Sequence, residues 1–180
     1  MVIFGLDLAS VNAGWAIYKD GAITNHGVWR INQRSRFTDL ESKLNAAIKK
    51  YHVSSIAAED IFKSDDKRLQ CAYEILAKCH GVLQLVGERN GIPITLIKPY
   101  QAKRQMWGYS PSRHGRLTRE QHKAAMIKAV TKYGYKLSTD RHGNYSDDEA
   151  DAIGILITYL KSEQLPITHP ATRNMTIIRR

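Results

Sequence analysis

Residues 2–9, VIFGLDLA, are apolar except for Gly5 and Asp7. A run this short and this rich in β-prone residues reads as a central strand. Residues 14–31, GWAIYKDGAITNHGVWRI, hold two more such runs, and the Lys19-Asp20-Gly21 break between them predicts a hairpin turn. From Phe37 the period changes to that of a helix, with Phe37, Leu40, Leu44, Ala47 and Ile48 on one side. Residues 53–62 (VSSIAAEDIF) predict a buried strand ending in acids. Residues 69–86 predict a helix whose Leu69, Ala72, Ile75, Leu76, Cys79, Val82, Leu83 and Val86 cover more than one face. GIPITLIKP predicts a fifth strand. Residues 98–109 read as a basic segment with interleaved aromatics, and residues 111–116 as a basic mobile loop. Residues 118–133 form a basic helix in this reading, and residues 146–160 a final one. The order β-β-β-α-β-α-β-α-α predicts an α/β fold, a five-stranded mixed sheet flanked by helices.

At 180 residues and 43% hydrophobic content the chain suits one domain with a sizeable core. Residues 1–164 are taken as that domain and 165–180 as a basic C-terminal tail, since LPITHPATRNMTIIRR shows no period. The formal net charge of +10 favours a polyanionic partner, nucleic acid before an anionic membrane. No apolar run is long enough to span a bilayer, and MVIFGLDLAS lacks a basic n-region and a cleavage site. Both features predict a cytoplasmic protein. Cys71 and Cys79 form no CxxC motif and have no matching histidine pair, so they read as reduced thiols on a buried helix rather than zinc ligands.

Against that positive charge, Asp147, Asp148, Glu149 and Asp151 crowd the start of the last helix. Ser146-Asp147-Asp148-Glu149 fits a capping box, with Ser146 capping and Glu149 reaching back to its amide. Capping does not account for Asp151. At about 100° per residue, Asp148 and Asp151 fall about 60° apart on a face that also carries Ala152 and Ile155. Asp147 lies close to that face, whereas Glu149 points away from it. Asp7 sits inside an apolar strand, where a charge is rarely left unpartnered. Glu59 ends another strand. Adjacent parallel strands would bring Asp7 and Glu59 together, and a helix beside them would add Asp148 and Asp151. Such hard oxygen ligands suit Mg²⁺, with Mn²⁺ as a substitute. Two ions about 3.5–4 Å apart would serve in-line attack on a phosphodiester. Acids would hold the metal, and the basic surface would hold the nucleic acid.

These residues resemble the RuvC family of Holliday-junction resolvases, within the RNase H-like superfamily. FGLDLASVNAGWAIY resembles the family's opening strand, with Asp7 as its catalytic acid, and AAEDIF resembles the second motif, with Glu59. SDDEADAIGILIT resembles the last motif, with Asp148 and Asp151. The resemblance covers residues 1–160 and implies a nuclease domain in which these four acids are catalytic metal ligands. It implies that Phe62 stacks at the junction centre and that residues 69–86 form a homodimer helix. QAKRQMWG and TREQHKAAMIKAV resemble DNA-contacting segments. On that basis Lys103, Arg104, Arg113, Arg116, Arg119 and Lys123 are expected at the DNA. Lys103, Arg104, Arg119 and Lys123 are candidates for the family's catalytic lysine position. Two departures stand out: Leu8-Ala9 replaces the family's Pro-Gly after the first acid, and residues 109–117 are longer and more basic. Both point toward phage or prophage members, acting in a bacterial cell or a phage-infected host.

Trp107 and Tyr109 either bind DNA or anchor a loop on the core. His114 and His122 read as phosphate contacts or solvated side chains. The expected protein is a dimeric, Mg²⁺-dependent endonuclease that resolves four-way junctions, and other branched DNA, by paired symmetric nicks. By the family resemblance each cut leaves a 5′ phosphate and a 3′ hydroxyl. The alternatives are an RNase H-like nuclease on RNA–DNA hybrids and a non-catalytic branched-DNA-binding protein.

Overall fold

The computed structural model describes residues 1–61 and 67–170. Its strands are β1 (Val2–Asp7), β2 (Asn12–Lys19), β3 (Ala22–Arg30), β4 (Ser55–Glu59) and β5 (Ile94–Ile97). Its helices are α1 (Arg36–Tyr51), α2 (Lys67–Asn90), α3 (Pro99–Trp107), α4 (Pro111–His114), α5 (Arg119–Lys132) and α6 (Asp147–Ser162). The strands form one mixed sheet in the order β3-β2-β1-β4-β5. β1, β2 and β3 form an antiparallel meander, whereas β4 and β5 run parallel to β1. The expected α/β architecture is therefore the one observed. Asp20 and Gly21 both take positive φ, 51° and 84°, as a two-residue hairpin between right-twisted strands requires.

β1 is buried at every position because it is the middle strand of a sheet covered on both faces. Its side chains alternate between two cores. Phe4, Leu6 and Leu8 join Leu40, Leu44, Cys79, Leu83 and Val86 beneath α1 and α2. Ile3 faces the opposite core, formed by Met106 of α3, Met126 and Val130 of α5, and Ile153, Leu156 and Leu160 of α6. α6 is the central helix of that layer and is buried along most of its length.

Two glycines set how closely α6 approaches. A Cβ on Gly5 of β1 would lie 2.6 Å from Leu156 Cβ. One on Gly14 of β2 would overlap the carbonyl oxygen of Asp148, in the first turn of α6. Gly14 pairs directly with Asp7 across β1 and β2. The start of α6 thus rests on the same sheet position as Asp7.

The structure corrects several expectations. Residues 98–109 contain a helix, α3, that apolar periodicity did not disclose. Its start was marked by Pro99 at the first position and by Gln101, whose side chain accepts from the Lys98 amide at 3.0 Å. Gly108 ends it with a φ of 72°. Residues 111–114 of the expected loop form the short helix α4. Cys79 is buried, but Cys71 is exposed, because α2 presents that position to solvent. Phe37 is also exposed, at the first turn of α1.

Residues 165–170 lie against the body. Leu165 and Ile167 pack on the α6-side core, Tyr18 Oη donates to the Pro166 carbonyl at 2.8 Å, and the Thr168 amide donates to the Gly21 carbonyl at 2.7 Å. Residues 171–180 lie outside the described residues.

Gly14→Ala must push α6 away from the sheet, and backbone has no rotamer with which to yield. It is expected to cost about 2–4 kcal/mol of stability. Gly81→Ala, where a Cβ meets open space on α2, is expected to gain about 0.5–1 kcal/mol. Urea denaturation midpoints of the two variants check both signs.

Candidate active site

The parallel register pairs Leu6 with Ala58, so Asp7 and Glu59 lie side by side at the carboxyl ends of β1 and β4. α6 begins directly above, and Asp147, Asp148 and Asp151 line the same cleft, of about 590 Å³. Lys103 of α3 and Arg119, His122 and Lys123 of α5 line it too. Leu8, Ala9, Leu76 and Pro99 complete the wall with apolar surface.

The electrostatics follow from burial and like charge. Asp7 is 9% exposed. Burial, then the charges of Glu59, Asp151 and Asp148, hold its carboxyl well above the usual range. Asp7 also shares a hydrogen bond with Glu59. Burial raises Glu59 as well, against the opposing charge of Lys103. Asp151 is pushed up to about 7 by burial, then by Glu59 and Asp147, with Lys103 again opposing. Burial and Asp147 raise Asp148, while Lys123 and Arg119 hold it down. Asp147 itself forms an ion pair with Lys123.

Glu149 behaves otherwise. Ser146 Oγ accepts from the Glu149 amide at 3.2 Å, so Ser146 caps α6 as expected. The Glu149 side chain does not return to the Ser146 amide, which donates instead to the Ser138 carbonyl at 2.9 Å. Glu149 is 2% exposed and faces β3. Its Oε1 lies 2.6 Å from His26 Nδ1, and its Oε2 accepts from the Ser138 amide at 2.7 Å and hydroxyl at 2.6 Å. Burial works to raise this carboxyl, but these hydrogen bonds outweigh it and hold it low. The network ties the start of α6 to the sheet and to the segment before it. A capping-box motif alone could not show it, because His26 lies 123 positions away in sequence.

The structure separates the expected DNA-contacting residues into two groups. Lys103, Arg119 and Lys123 face the acids. Arg104, Arg113 and Arg116 are exposed and do not line the cleft. Phe62 lies outside the described residues. Trp107 and Tyr109 anchor a loop: Trp107 packs on the core, and its ring centroid is 5.1 Å from that of Tyr109, 5.6 Å from His114 and 5.8 Å from His122.

Among the described residues, no group of three acidic, histidine or cysteine side chains converges as a ready-made metal cage. The chemistry of the donors nevertheless fits a hard divalent cation. All are carboxylate oxygens, they are partly or wholly removed from water, and each raises its neighbours' affinity for positive charge.

No protein-family model matches the chain. A crossover junction endodeoxyribonuclease RuvC from Fusobacterium nucleatum is 23% identical over 186 residues, covering 99% of this chain and 90% of that protein. Its counterpart from Dictyoglomus turgidum is 25% identical over 174 residues, covering 91% of this chain and 99% of that one. The structure of T. thermophilus RuvC in complex with a Holliday junction substrate superposes with a TM-score of 0.65. That match covers 91% of this chain and 95% of the other, at 16% identity. The chain shares its fold with RuvC. Its five-stranded sheet and flanking helices have the arrangement seen in T. thermophilus RuvC. Leu8 and Ala9, which follow Asp7, form part of the cleft wall.

The raised carboxyl of Asp151 has a consequence for stability. The folded protein keeps this proton up to about pH 7, whereas the unfolded chain releases it near the ordinary 3.8. Between those values the folded state binds more protons, so metal-free stability falls as pH rises through that window. Asp151→Asn is expected to flatten the fall and to gain on the order of 1–3 kcal/mol at pH 8 in EDTA. Mg²⁺ or Mn²⁺ should raise the melting temperature of the parent protein more than that of the variant. Thermal melts from pH 4 to 8, with and without metal, check both.

Proposed function

We propose that the protein is a RuvC-like resolvase: a metal-dependent endonuclease that resolves Holliday junctions and acts as a homodimer. The observation that carries this reading is the convergence of Asp7, Glu59, Asp148 and Asp151 in one cleft, opposite Lys103, Arg119 and Lys123, on a RuvC-like fold. The relatives named crossover junction endodeoxyribonuclease support it. Among the described residues no helix is long and apolar enough to cross a membrane. A cytoplasmic site of action, in a bacterial cell or a phage-infected host, is part of the proposal. So is phage or prophage kinship, on the strength of Leu8-Ala9 and the basic residues 109–117.

Asp7, Glu59, Asp148 and Asp151 would hold Mg²⁺, or Mn²⁺ in its place, with two ions per site. The bound cation supplies a Lewis acid for hydrolysis of a phosphodiester. Lys103 is the basic residue whose charge reaches both Glu59 and Asp151, and it is placed to neutralise charge that develops on the scissile phosphate. Arg119 and Lys123 bring positive charge to the Asp147 and Asp148 side, where they can grip the strand. Leu8, Ala9 and Leu76 keep that wall of the cleft apolar. Phe62 is proposed to stack at the junction centre. Arg104, Arg113 and Arg116 are proposed to hold DNA outside the cleft. α2 is the proposed dimer helix: its Cys79, Leu83 and Val86 are spent on the core, while Leu85 remains 42% exposed. A two-fold dimer supplies one cut to each of two strands.

Purified protein with end-labelled four-way junction, flap, duplex and RNA–DNA hybrid tests this reading. Paired symmetric nicks in the junction are expected in Mg²⁺ or Mn²⁺ and none in EDTA. Asp7→Asn should lower the rate by about 10³-fold, and Lys103→Ala by about 10²-fold. Cleavage of the hybrid alone would make the enzyme RNase H-like, and tight junction binding without cleavage in either metal would mean a non-catalytic binding protein. Light scattering should give twice the chain mass.

A further inference from the structure

The acids of the cleft stand on different elements, Asp7 and Glu59 on the sheet and Asp148 and Asp151 on α6. Their geometry depends on how α6 is turned about its own axis. α6 lies on a row of paired sheet positions, His26–Ala16–Gly5–Ala57, that crosses β3, β2, β1 and β4. Ala16, Gly5 and Ala57 let the helix approach closely but give it little to grip. Ala150 and Ala152, buried near the start of α6, are small as well and offer little shape that would resist rotation. His26 is the polar member of the row. Glu149 meets three donors, His26 Nδ1, the Ser138 amide and the Ser138 hydroxyl. The Ser138 carbonyl accepts from the Ser146 amide, so Ser138 moves with the segment that leads into the helix. His26 is the partner that belongs to the sheet. Its ring is braced edge to face by the buried Tyr135, at a centroid distance of 6.1 Å.

We propose that His26 is a positioning residue for the metal site: through Glu149 it fixes the rotation of α6, and with it the reach of Asp148 and Asp151 toward a cation shared with Asp7 and Glu59. The proposal rests on the reading of those acids as metal ligands. At about 100° per residue, Asp148 and Asp151 project from the side of α6 roughly opposite Glu149, so a hold on Glu149 sets their direction. A helical side chain ends about 5–6 Å from the axis, and a rotation of about 10° carries it about 1 Å. Mg²⁺ demands near-ideal octahedral geometry, so a displacement of that size weakens its binding. His26 stands on β3, two strands from β1, and acts on the cleft only by way of Glu149.

Mn²⁺ titration of the full chain, followed by the electron paramagnetic resonance signal of the free ion, tests this role without recourse to cleavage. Wild type, His26→Leu, His26→Asn, Glu149→Gln, the His26→Leu/Glu149→Gln double variant and Asp151→Asn are compared. His26→Leu should weaken Mn²⁺ binding about tenfold. His26→Asn should stay within about threefold of wild type, because its amide nitrogen sits at the same point along the side chain as Nδ1 and can donate to Glu149. Glu149→Gln should match His26→Leu, since an amide has one acceptor oxygen where the carboxylate uses two. Adding His26→Leu to Glu149→Gln should bring no further loss. Should His26→Leu not fold, Glu149→Gln against His26→Asn carries the same comparison. Unchanged Mn²⁺ affinity in either His26→Leu or Glu149→Gln, or a loss from His26→Asn as large as theirs, would overturn the proposal, whatever happens to the melting temperature. Asp151→Asn separates the two readings. If it weakens Mn²⁺ binding while His26→Leu does not, the acids are ligands and His26 serves the fold alone. If it leaves Mn²⁺ binding unchanged, the reading of the acids as ligands falls, and the positioning role falls with it.

Discussion

Asp7, Glu59, Asp148 and Asp151 repel one another in a cleft from which much of the water has been removed, and the rest of the fold has to hold them there. Two carboxylates about 4 Å apart repel by about 1 kcal/mol in water and about 4 kcal/mol at an effective dielectric of 20. The opposing force is ordinary apolar burial. Ile153, Ile155, Leu156, Ile157 and Leu160 of α6 are all essentially inaccessible, and burying one such side chain is worth about 1.5–3 kcal/mol. α6 can deliver that force close to the sheet only because Gly5 and Gly14 remove the side chains that would stand it off. Proton retention by Asp7 and Asp151 relieves what repulsion remains.

The first turn of α6 divides its acids between two tasks. Asp148 and Asp151 face the cleft, where burial and neighbouring carboxylates raise them. Glu149 turns to the opposite side, where His26 and Ser138 satisfy it and lower it. Carboxyl groups within one helical turn thus acquire opposite properties from their surroundings. The His26–Glu149–Ser138 network also supports the site from behind, fixing the rotation of α6 and with it the directions of Asp148 and Asp151.

The chain's net charge and its acidic cleft are complementary. A charge of +10 draws a polyanion from a distance, while Asp7, Glu59, Asp147, Asp148 and Asp151 gather negative charge in one cleft. Lys103, Arg119 and Lys123 stand at the boundary between the two. Their charges lower the carboxylates they face, which balances the site between binding protons and binding a divalent cation.

Much of this was readable along the chain. The period of apolar positions gave all five strands and the long helices, because a two-residue or 3.6-residue repeat is a local property of the backbone. The odd placement of Asp7 within an apolar strand, and of Asp148 and Asp151 on one helical face, marked the acids on local grounds alone. α3 escaped because its signals lie at its ends, in Pro99 and Gly108, and not in its period. The role of Glu149 escaped because a capping motif is satisfied locally, whereas its actual partner, His26, arrives on another strand. Which basic residues reach the cleft was likewise undetermined, since Lys103 and Arg104 are neighbours in sequence and only one faces the acids. The sequence by itself determined the five strands and the long helices, the sheet-and-helix class and the set of acids. Tertiary structure alone decided which charges meet, because distance between side chains from different elements depends on how closely those elements pack, and here Gly5 and Gly14 govern that approach.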